Sequence, residues 1–279
     1  MPKQKNKQRL VLRKFDITSI PDDSVVVFVG KRETGKSFLV RDLLYHKQHL
    51  PIGTVISATE GANEFYQKMV PKKFIRHEYE EAISERVVAR QKMAVKQSKR
   101  DKECDPRAFY LLDDCMFDSK WTRSKMIRAL FMNGRHFRIM FLITMQYALG
   151  IPPVLRSNID YIFLLRDSLI QNRRRLYDSY AGMFGTFDLF CRVMDQCTEN
   201  FHCLVIHNNA KSNKLEDQVF WYKASPHGDF RVGHSDFWDE QAHQTSDVVD
   251  TDDDDDFRDD GLRIYRGDYD GRNPRRFHS

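Results

Sequence analysis

The sequence contains no apolar run long enough to cross a lipid bilayer. Its longest uninterrupted apolar stretches, such as Ile139–Ile143, are far shorter than the roughly 20 residues that a membrane-spanning helix requires. The N-terminus is basic but leads into no apolar segment of the kind found in signal peptides. We therefore expect no membrane span.

Cysteine is scarce, and its spacing matches no known framework. The five cysteines, Cys104, Cys115, Cys191, Cys197 and Cys203, are odd in number and include no Cys-x-x-Cys pair. We interpret them as reduced thiols in an intracellular protein. The last two stand near histidines, but their spacing fits no usual set of zinc ligands, so core or surface roles are favoured.

Two recognition patterns are also missing. There is no Asn-Lys-x-Asp run of the kind that selects guanine, and the nearest stretch, Asn208–Lys211, has the wrong order. There is likewise no zinc-finger or helix-turn-helix signature. A nucleotide-binding function would therefore favour ATP, and a DNA-binding function would not depend on base sequence.

Charge is divided unevenly along the chain, although the formal net charge is only +5. Residues 236–260 carry 12 acidic side chains and one arginine, and residues 261–279 carry five arginines and two aspartates, which leaves residues 1–235 with a net charge of +13. A region this basic favours a polyanionic partner, with nucleic acid as the leading candidate. The alternative is a solvated basic surface without a target. The basic segments Lys3–Lys14 and Arg90–Arg107 have the same two interpretations: a surface that faces DNA or another partner, or a solvated face.

Short apolar runs alternate with longer amphipathic stretches. The predicted strands are Val25–Val29, Thr54–Ser57, Phe109–Leu112, Ile139–Thr144, Tyr161–Leu165 and Cys203–His207. The predicted helices are Lys36–His46, Tyr79–Lys102, Arg123–Asn133 and Ser168–Tyr180. Most of the strands are continuously apolar, which is typical of strands covered by helices on both faces. The alternation predicts a layered α/β fold with a mainly parallel sheet.

Composition also divides the chain into three parts. We predict a basic N-terminal segment over residues 1–20 and one α/β domain over residues 21–233. From residue 234 onward the apolar pattern stops, and five consecutive aspartates occupy Asp252–Asp256. We predict that residues 234–279 form a disordered tail, rich in aspartate and then containing arginine.

A complete phosphate-binding motif follows the first predicted strand. The stretch Gly30–Ser37 matches GxxxxGK[ST], with an apolar strand before it and an amphipathic helix after it. Backbone N–H groups of such a loop, together with the helix N-terminus, bind phosphate oxygens. Lys36 would reach the β- and γ-phosphates, and the Ser37 hydroxyl would ligate Mg²⁺. The predicted nucleotide-binding residues are Gly30, Lys31, Arg32, Glu33, Thr34, Gly35, Lys36, Ser37 and Phe38.

Polar residues end two further strands and complete a hydrolytic site. Asp113 and Asp114 end the strand that begins at Phe109, and Gln146 follows the strand that begins at Ile139. We predict that Asp113 holds Mg²⁺ and that Asp114 is the general base for the attacking water. Gln146 would hold that water or sense the γ-phosphate. Alternatively, Asp113 and Asp114 only cap the turn that follows the strand, and Gln146 is a loop residue without a role in catalysis.

Five motifs follow one another in order across roughly residues 20–225: Gly30–Ser37, Leu111–Asp114, Asn133–His136, Ile143–Gln146 and Leu155–Asn158. Together they resemble the genome-packaging ATPases of nucleocytoplasmic large DNA viruses, which belong to the FtsK–HerA superfamily of P-loop DNA-pumping motors. The second motif ends in Asp-Asp here, where Asp-Glu is commoner in the family.

The resemblance implies a RecA/FtsK–HerA-like P-loop fold and an ATPase that moves double-stranded DNA. By the same resemblance, Arg174 matches the arginine that acts on a neighbouring subunit, with Arg173 and Arg175 beside it as alternatives. Arg135 and Arg156, which flank the sensor strand, could serve the same chemistry. A homo-oligomeric ring, capsid or portal-site partners, and a location in the host cytoplasm at the viral assembly site or in the virion are implied as well.

Three other functions remain open at this point. A nucleoside or nucleotide kinase also begins with such a loop, but Asp114 and Gln146 argue against it. A non-catalytic scaffold would bind ATP only to stabilise an assembly. A cellular DNA pump would share the whole set of motifs.

Overall fold

The computed structural model describes residues 10–115 and 120–247. The described strands are β1 (Arg13–Lys14), β2 (Val25–Val29), β3 (Gly53–Ser57), β4 (Ile75–Arg76), β5 (Ala108–Asp113), β6 (Ile139–Met145), β7 (Tyr161–Leu164), β8 (His202–His207) and β9 (Val219–Lys223). The described α-helices are α1 (Lys36–Tyr45), α2 (Glu60–Asn63), α3 (Glu81–Ser98), α4 (Lys120–Arg123), α5 (Lys125–Asn133), α6 (Pro153–Arg156), α7 (Ile170–Tyr180), α8 (Phe187–Cys197), α9 (Leu215–Gln218) and α10 (Ser235–Asp247).

The described strands form one mixed sheet in the order β1-β9-β8-β7-β2-β6-β5-β3-β4. Strand β8 is antiparallel to both of its neighbours, whereas the other described pairs are parallel. Strand β2, which leads into the phosphate motif, lies between β7 and β6. The prediction of a mainly parallel sheet flanked by helices is therefore confirmed.

Both faces of the sheet are buried, which explains why the strands are continuously apolar. Alternate residues of β2 point to opposite faces: Val25, Val27 and Val29 pack in one core, and Val26 and Phe28 pack in the other. Helix α1 covers the second core, and helices α3, α5, α7 and α8 cover the first. The central strands therefore form a rigid support for the loops at their ends.

Several elements were not predicted. Strands β1, β4 and β9 and helix α8 lie in stretches to which sequence analysis assigned no element. The predicted helix Arg123–Asn133 is divided at Ser124, whose hydroxyl accepts hydrogen bonds from Met126 N and Ile127 N at 3.1 Å and begins α5. Hydrophobic periodicity alone predicts one continuous helix here. The serine inside the amphipathic stretch could have indicated that a second helix begins after it.

The disordered tail was predicted to begin at residue 234, but the structure has a helix, α10, over Ser235–Asp247. Its Phe237 and Trp238 are 6% and 8% exposed. The Phe237 ring lies 4.8 Å from that of Phe74, and the Trp238 indole N–H donates to Val232 O at 3.2 Å. Two adjacent aromatic side chains thus anchor an otherwise acidic helix. Residues 248–279, where the rest of the prediction falls, lie outside the described residues, as do residues 1–9.

No helix in residues 10–115 and 120–247 combines the length and the apolar character that a membrane span requires.

Candidate functional site

The phosphate motif, the acid pair and the strand-end glutamine meet at one edge of the sheet. In the parallel register, Val29 of β2 pairs with Met145 of β6, and Asp113 of β5 pairs with Thr144 of β6. The carboxyl ends of these three neighbouring strands therefore lie together. The segments that follow them carry the residues singled out from the sequence.

The loop Gly30–Ser37 leaves β2 through a tight, glycine-dependent turn. Gly30 N donates to Met145 O at 2.9 Å, and a Cβ at Gly30 would lie 2.7 Å from the Leu165 Cβ. Gly35 has φ +101°, a left-handed conformation that favours glycine, and it caps the N-terminus of α1. The two glycines allow the loop to curl closely around the end of the helix.

Lys36 places its ammonium group inside this loop. Its Nζ donates to Gly30 O at 2.7 Å and to Lys31 O at 2.9 Å. Burial lowers the pKa of Lys36, while the carboxylates of Asp114 and Asp113 act in the opposite direction. Both hydrogen-bond acceptors of the ammonium are neutral carbonyl oxygens. Phosphate oxygens are charged and would therefore be stronger acceptors.

Lys31 and Thr34 stabilise the loop from within. The Thr34 hydroxyl donates to Lys31 O at 2.7 Å. The Lys31 ammonium pairs with the buried carboxylate of Asp167 at 2.9 Å, and Asp167 also accepts from Leu169 N at 2.9 Å, just before α7. The phosphate loop is thereby tied to the start of the helix that carries the predicted arginine.

The other predicted nucleotide-binding residues differ in exposure. Arg32 and Glu33 are exposed, and Glu33 has φ +63°. Ser37 is partly buried in the first turn of α1, and Phe38 is 62% exposed. All of them lie on the loop or on the first turn after it, where a triphosphate would be bound.

Asp113 is a buried carboxylate at the end of β5. The Thr144 hydroxyl donates to its Oδ1 at 2.6 Å, and the Ser57 hydroxyl donates to its Oδ2 at 3.0 Å. Burial raises the pKa of Asp113, and these hydroxyl donors oppose the rise. A cation beside Asp113 would stabilise its ionised form. Carboxylate and hydroxyl oxygens are ligands that Mg²⁺ prefers, so Asp113 and Ser37 fit a magnesium site chemically.

Asp114 adopts a left-handed backbone conformation, with φ +52°. Its N–H donates to the Thr144 hydroxyl oxygen at 2.9 Å, and its carboxylate accepts a hydrogen bond from the Gln146 side-chain amide. One hydroxyl, that of Thr144, thus orients both acids. The structure also brings the predicted base and the predicted sensor into direct contact.

Known proteins resemble this chain in sequence and in fold. An uncharacterized protein of Acanthamoeba polyphaga mimivirus is 41% identical over 224 residues, which cover 78% of this chain and 79% of the relative. An uncharacterized protein of Invertebrate iridescent virus 3 is 40% identical over 202 residues, 72% of this chain and 76% of the relative. The chain belongs to this family of viral proteins. No protein-family model matches it.

The fold of this chain is also that of a known packaging enzyme. The genome-packaging NTPase of Sulfolobus turreted icosahedral virus 2, solved in complex with ATP-gammaS, aligns with a TM-score of 0.51 at 13% identity. The alignment covers 73% of this chain and 98% of that protein. The predicted P-loop ATPase fold is therefore confirmed, and the relatives come from large DNA viruses, as the resemblance predicts.

The three consecutive arginines of this family member have different surroundings. Arg173 is buried: its Nε donates to Asp167 O at 2.6 Å, and its guanidinium pairs with Asp195 at 2.6 Å. Arg174 is exposed and stacks on the Phe187 ring at 3.9 Å. Arg175 lines a cavity next to the phosphate loop together with Gly30 and Gln146, among other residues. Arg174, the predicted trans-acting residue, does not line that cavity.

The two further arginines considered from the sequence are engaged elsewhere. Arg135 pairs with Asp160, whose carboxylate also accepts from Val25 N at 2.8 Å. Because Val25 begins β2, this pair lies at the opposite edge of the sheet from the phosphate loop, so Arg135 does not reach the phosphate loop of its own chain. Arg156 donates to Ile151 O at 2.8 Å and lies over the Tyr180 ring.

Sequence reasoning missed three residues at this edge: Ser57, Thr144 and Asp167. Ser57 and Thr144 are polar residues within or at the end of otherwise apolar strands, and both are fully buried. That position was a usable signal, because a buried hydroxyl requires a partner. Asp167 gave no such signal, since its ion pair with Lys31 depends on how the segment between β7 and α7 lies against the phosphate loop.

Proposed function

We propose that this protein is an ATP-hydrolysing motor that drives double-stranded DNA into a viral capsid and works as an oligomeric ring. One observation carries the proposal: Lys36, the Asp113–Asp114 pair and Gln146 converge at the end of three adjacent strands. The family of viral relatives and the fold shared with a viral packaging NTPase support the same function. The expected setting is the viral assembly site in the host cytoplasm, with capsid or portal-site proteins as partners.

In the proposed reaction, a water oxygen attacks the γ-phosphorus of ATP, and the bond to the β–γ bridging oxygen breaks to release ADP. The Asp114 carboxylate accepts the proton of the attacking water. Gln146, already bonded to Asp114, is placed to orient that water. Lys36 exchanges its bonds to the loop carbonyls for bonds to the β- and γ-phosphates, which stabilises the charge that develops on them.

The metal and the arginine complete the proposed site. Asp113 and Ser37 would hold Mg²⁺, which neutralises charge on the β- and γ-phosphate oxygens when bound. We propose that Arg174 acts on the nucleotide of a neighbouring subunit, because it is exposed and does not line the cavity of its own subunit. Hydrolysis would then require assembly, as a coupled motor needs.

A basic helix offers a surface for the DNA backbone. Helix α3 buries Ile83 and Val87 on one face. Lysine and arginine residues are exposed on its other side and just beyond its end: Lys92, Lys96, Lys99 and Arg100. Such groups bind phosphates without reading bases, as a motor that meets every sequence requires.

The Asp114→Asn variant separates this proposal from its alternatives. A hydrolytic motor should keep its affinity for ATP and lose most of its turnover, because only the proton acceptor has changed. We would measure ATP binding by calorimetry and phosphate release by a continuous assay, with Asp101→Asn as a matched control on an exposed loop. Unchanged phosphate release would contradict the proposed base. Transfer of the phosphate to an added nucleoside, instead of to water, would favour a kinase.

A further inference from the structure

A large aromatic side chain lies exposed beside the phosphate loop. Phe201 directly precedes β8 and is 67% exposed. Because β8 runs antiparallel to β7, its amino end lies at the same edge of the sheet as the phosphate loop. The Phe201 ring approaches to 3.6 Å from the position that a Cβ of Gly35 would occupy. The ring is therefore next to the loop that would bind the triphosphate.

The backbone that holds this ring is strained. In the turn from Glu199 to His202, His202 N donates to Glu199 O at 2.9 Å, and the two central residues, Asn200 and Phe201, have φ +50° and +62°. Positive φ at both central positions is typical of a type I′ turn, which favours Asn followed by Gly. Asn200 suits its position, but a phenylalanine stands where glycine is preferred.

Packing does not account for the phenylalanine. Phe201 belongs to neither of the two hydrophobic cores, and its ring is left in water at a cost that glycine would avoid. A strained residue whose side chain adds little to the core points to a function for that side chain. Because the ring lies beside a phosphate-binding loop, its ligand is expected to be a phosphate compound with a further group that can contact the ring.

We propose that Phe201 is the platform on which the nucleobase of the bound nucleotide stacks. The inference rests on the proposed function, since it requires that Gly30–Ser37 bind a nucleoside triphosphate. Every base presents a flat π-face to an aromatic ring, and such stacking is energetically significant without selecting one base. The platform would therefore supply affinity for ATP and leave the choice between adenine and guanine to other groups.

The Phe201→Gly variant tests the proposal, because strain and stacking predict opposite changes. Glycine relieves the positive φ and should raise the melting temperature. Removing the ring should weaken ATP binding roughly tenfold and leave binding of inorganic tripolyphosphate, which has no base, unchanged. Asn200→Gly is the matched control: it relieves the neighbouring φ, keeps the ring, and should leave ATP affinity unchanged. Phe201→Trp should retain ATP affinity and show a fluorescence change when ATP binds.

Four outcomes would overturn the proposal. Unchanged ATP affinity in Phe201→Gly would exclude the platform. Equal weakening of ATP and tripolyphosphate would show that the loop itself was distorted. Loss of self-association with unchanged ATP affinity would show that the ring contacts a neighbouring subunit instead. Failure of the wild-type protein to bind either ligand would refute the proposed function, and this inference with it.

Discussion

Replacing Thr144 by valine removes one hydroxyl and keeps the shape of the side chain. That hydroxyl donates to Asp113 Oδ1 at 2.6 Å and accepts from Asp114 N at 2.9 Å. It is the buried link between the predicted metal ligand and the predicted base. Thr144→Val should therefore destabilise the protein and impair both acids at once.

The size of the effect follows from the groups left without partners. A hydrogen bond to a charged group contributes about 1.5–3 kcal/mol, and a buried N–H without a partner costs about 1–3 kcal/mol. Because the added methyl group recovers part of this loss, we expect the free energy of unfolding to fall by about 2–4 kcal/mol. Asp113 also loses a donor to its ionised form, so its pKa should rise further and its affinity for Mg²⁺ should fall.

Two measurements check this prediction. Urea denaturation gives the change in stability, and the Mg²⁺ concentration needed for half-maximal ATP hydrolysis reports on Asp113. Thr144→Ser, which keeps the hydroxyl, is the control and should behave like the wild type in the second assay. A Thr144→Val protein with unchanged stability and unchanged Mg²⁺ dependence would refute the assigned role of Thr144.

Further predictions concern charged groups in and around the site. Burial raises the pKa of Asp113. The nucleotide-free protein should therefore lose stability as the pH rises from the ordinary pKa of aspartate through that raised value. Urea denaturation should show that the free energy of unfolding depends less on pH in Asp113→Asn than in the wild type, and an identical pH dependence would contradict this prediction. Arg173→Met should lower the free energy of unfolding by about 1–3 kcal/mol. Arg174→Met removes only an exposed contact with the Phe187 ring, so it should change stability by less than about 1 kcal/mol and reduce ATP turnover; the reverse pattern would move the trans-acting role to Arg173. Asp42 is fully buried and accepts hydrogen bonds from Tyr222 Oη, at 2.6 Å, and from Ser225 N; Asp42→Ala should cost about 2–4 kcal/mol in a denaturation assay, and a change below about 0.5 kcal/mol would show that the network is not stabilising.

The central strands and the phosphate loop could be predicted because their signals are local. Strand β2 has the predicted bounds, since its five successive apolar residues are bounded by Ser24 and Gly30. The GxxxxGK[ST] pattern likewise predicts a loop between strand and helix, and the structure has that loop between β2 and α1. In both cases the residues that give the signal and the residues that form the structure lie within about ten positions of one another.

Other features depend on contacts between distant parts of the chain and left no local signal. Arg173, Arg174 and Arg175 are adjacent in sequence, yet only the packing of α7 decides which one is buried and which of the two exposed ones lines the cavity. Acidic composition around residue 240 hid helix α10, because Phe237 becomes an anchor only beside Phe74, and Trp238 only beside Val232. Residues that act through tertiary packing therefore had to await the structure.

The most direct test of the central claim is ATP hydrolysis by the purified protein, with and without long double-stranded DNA, beside Lys36→Ala. We predict that DNA of any sequence stimulates hydrolysis strongly and that Lys36→Ala abolishes hydrolysis under both conditions. Turnover that does not respond to DNA, or that survives the loss of the Lys36 ammonium, would contradict this prediction.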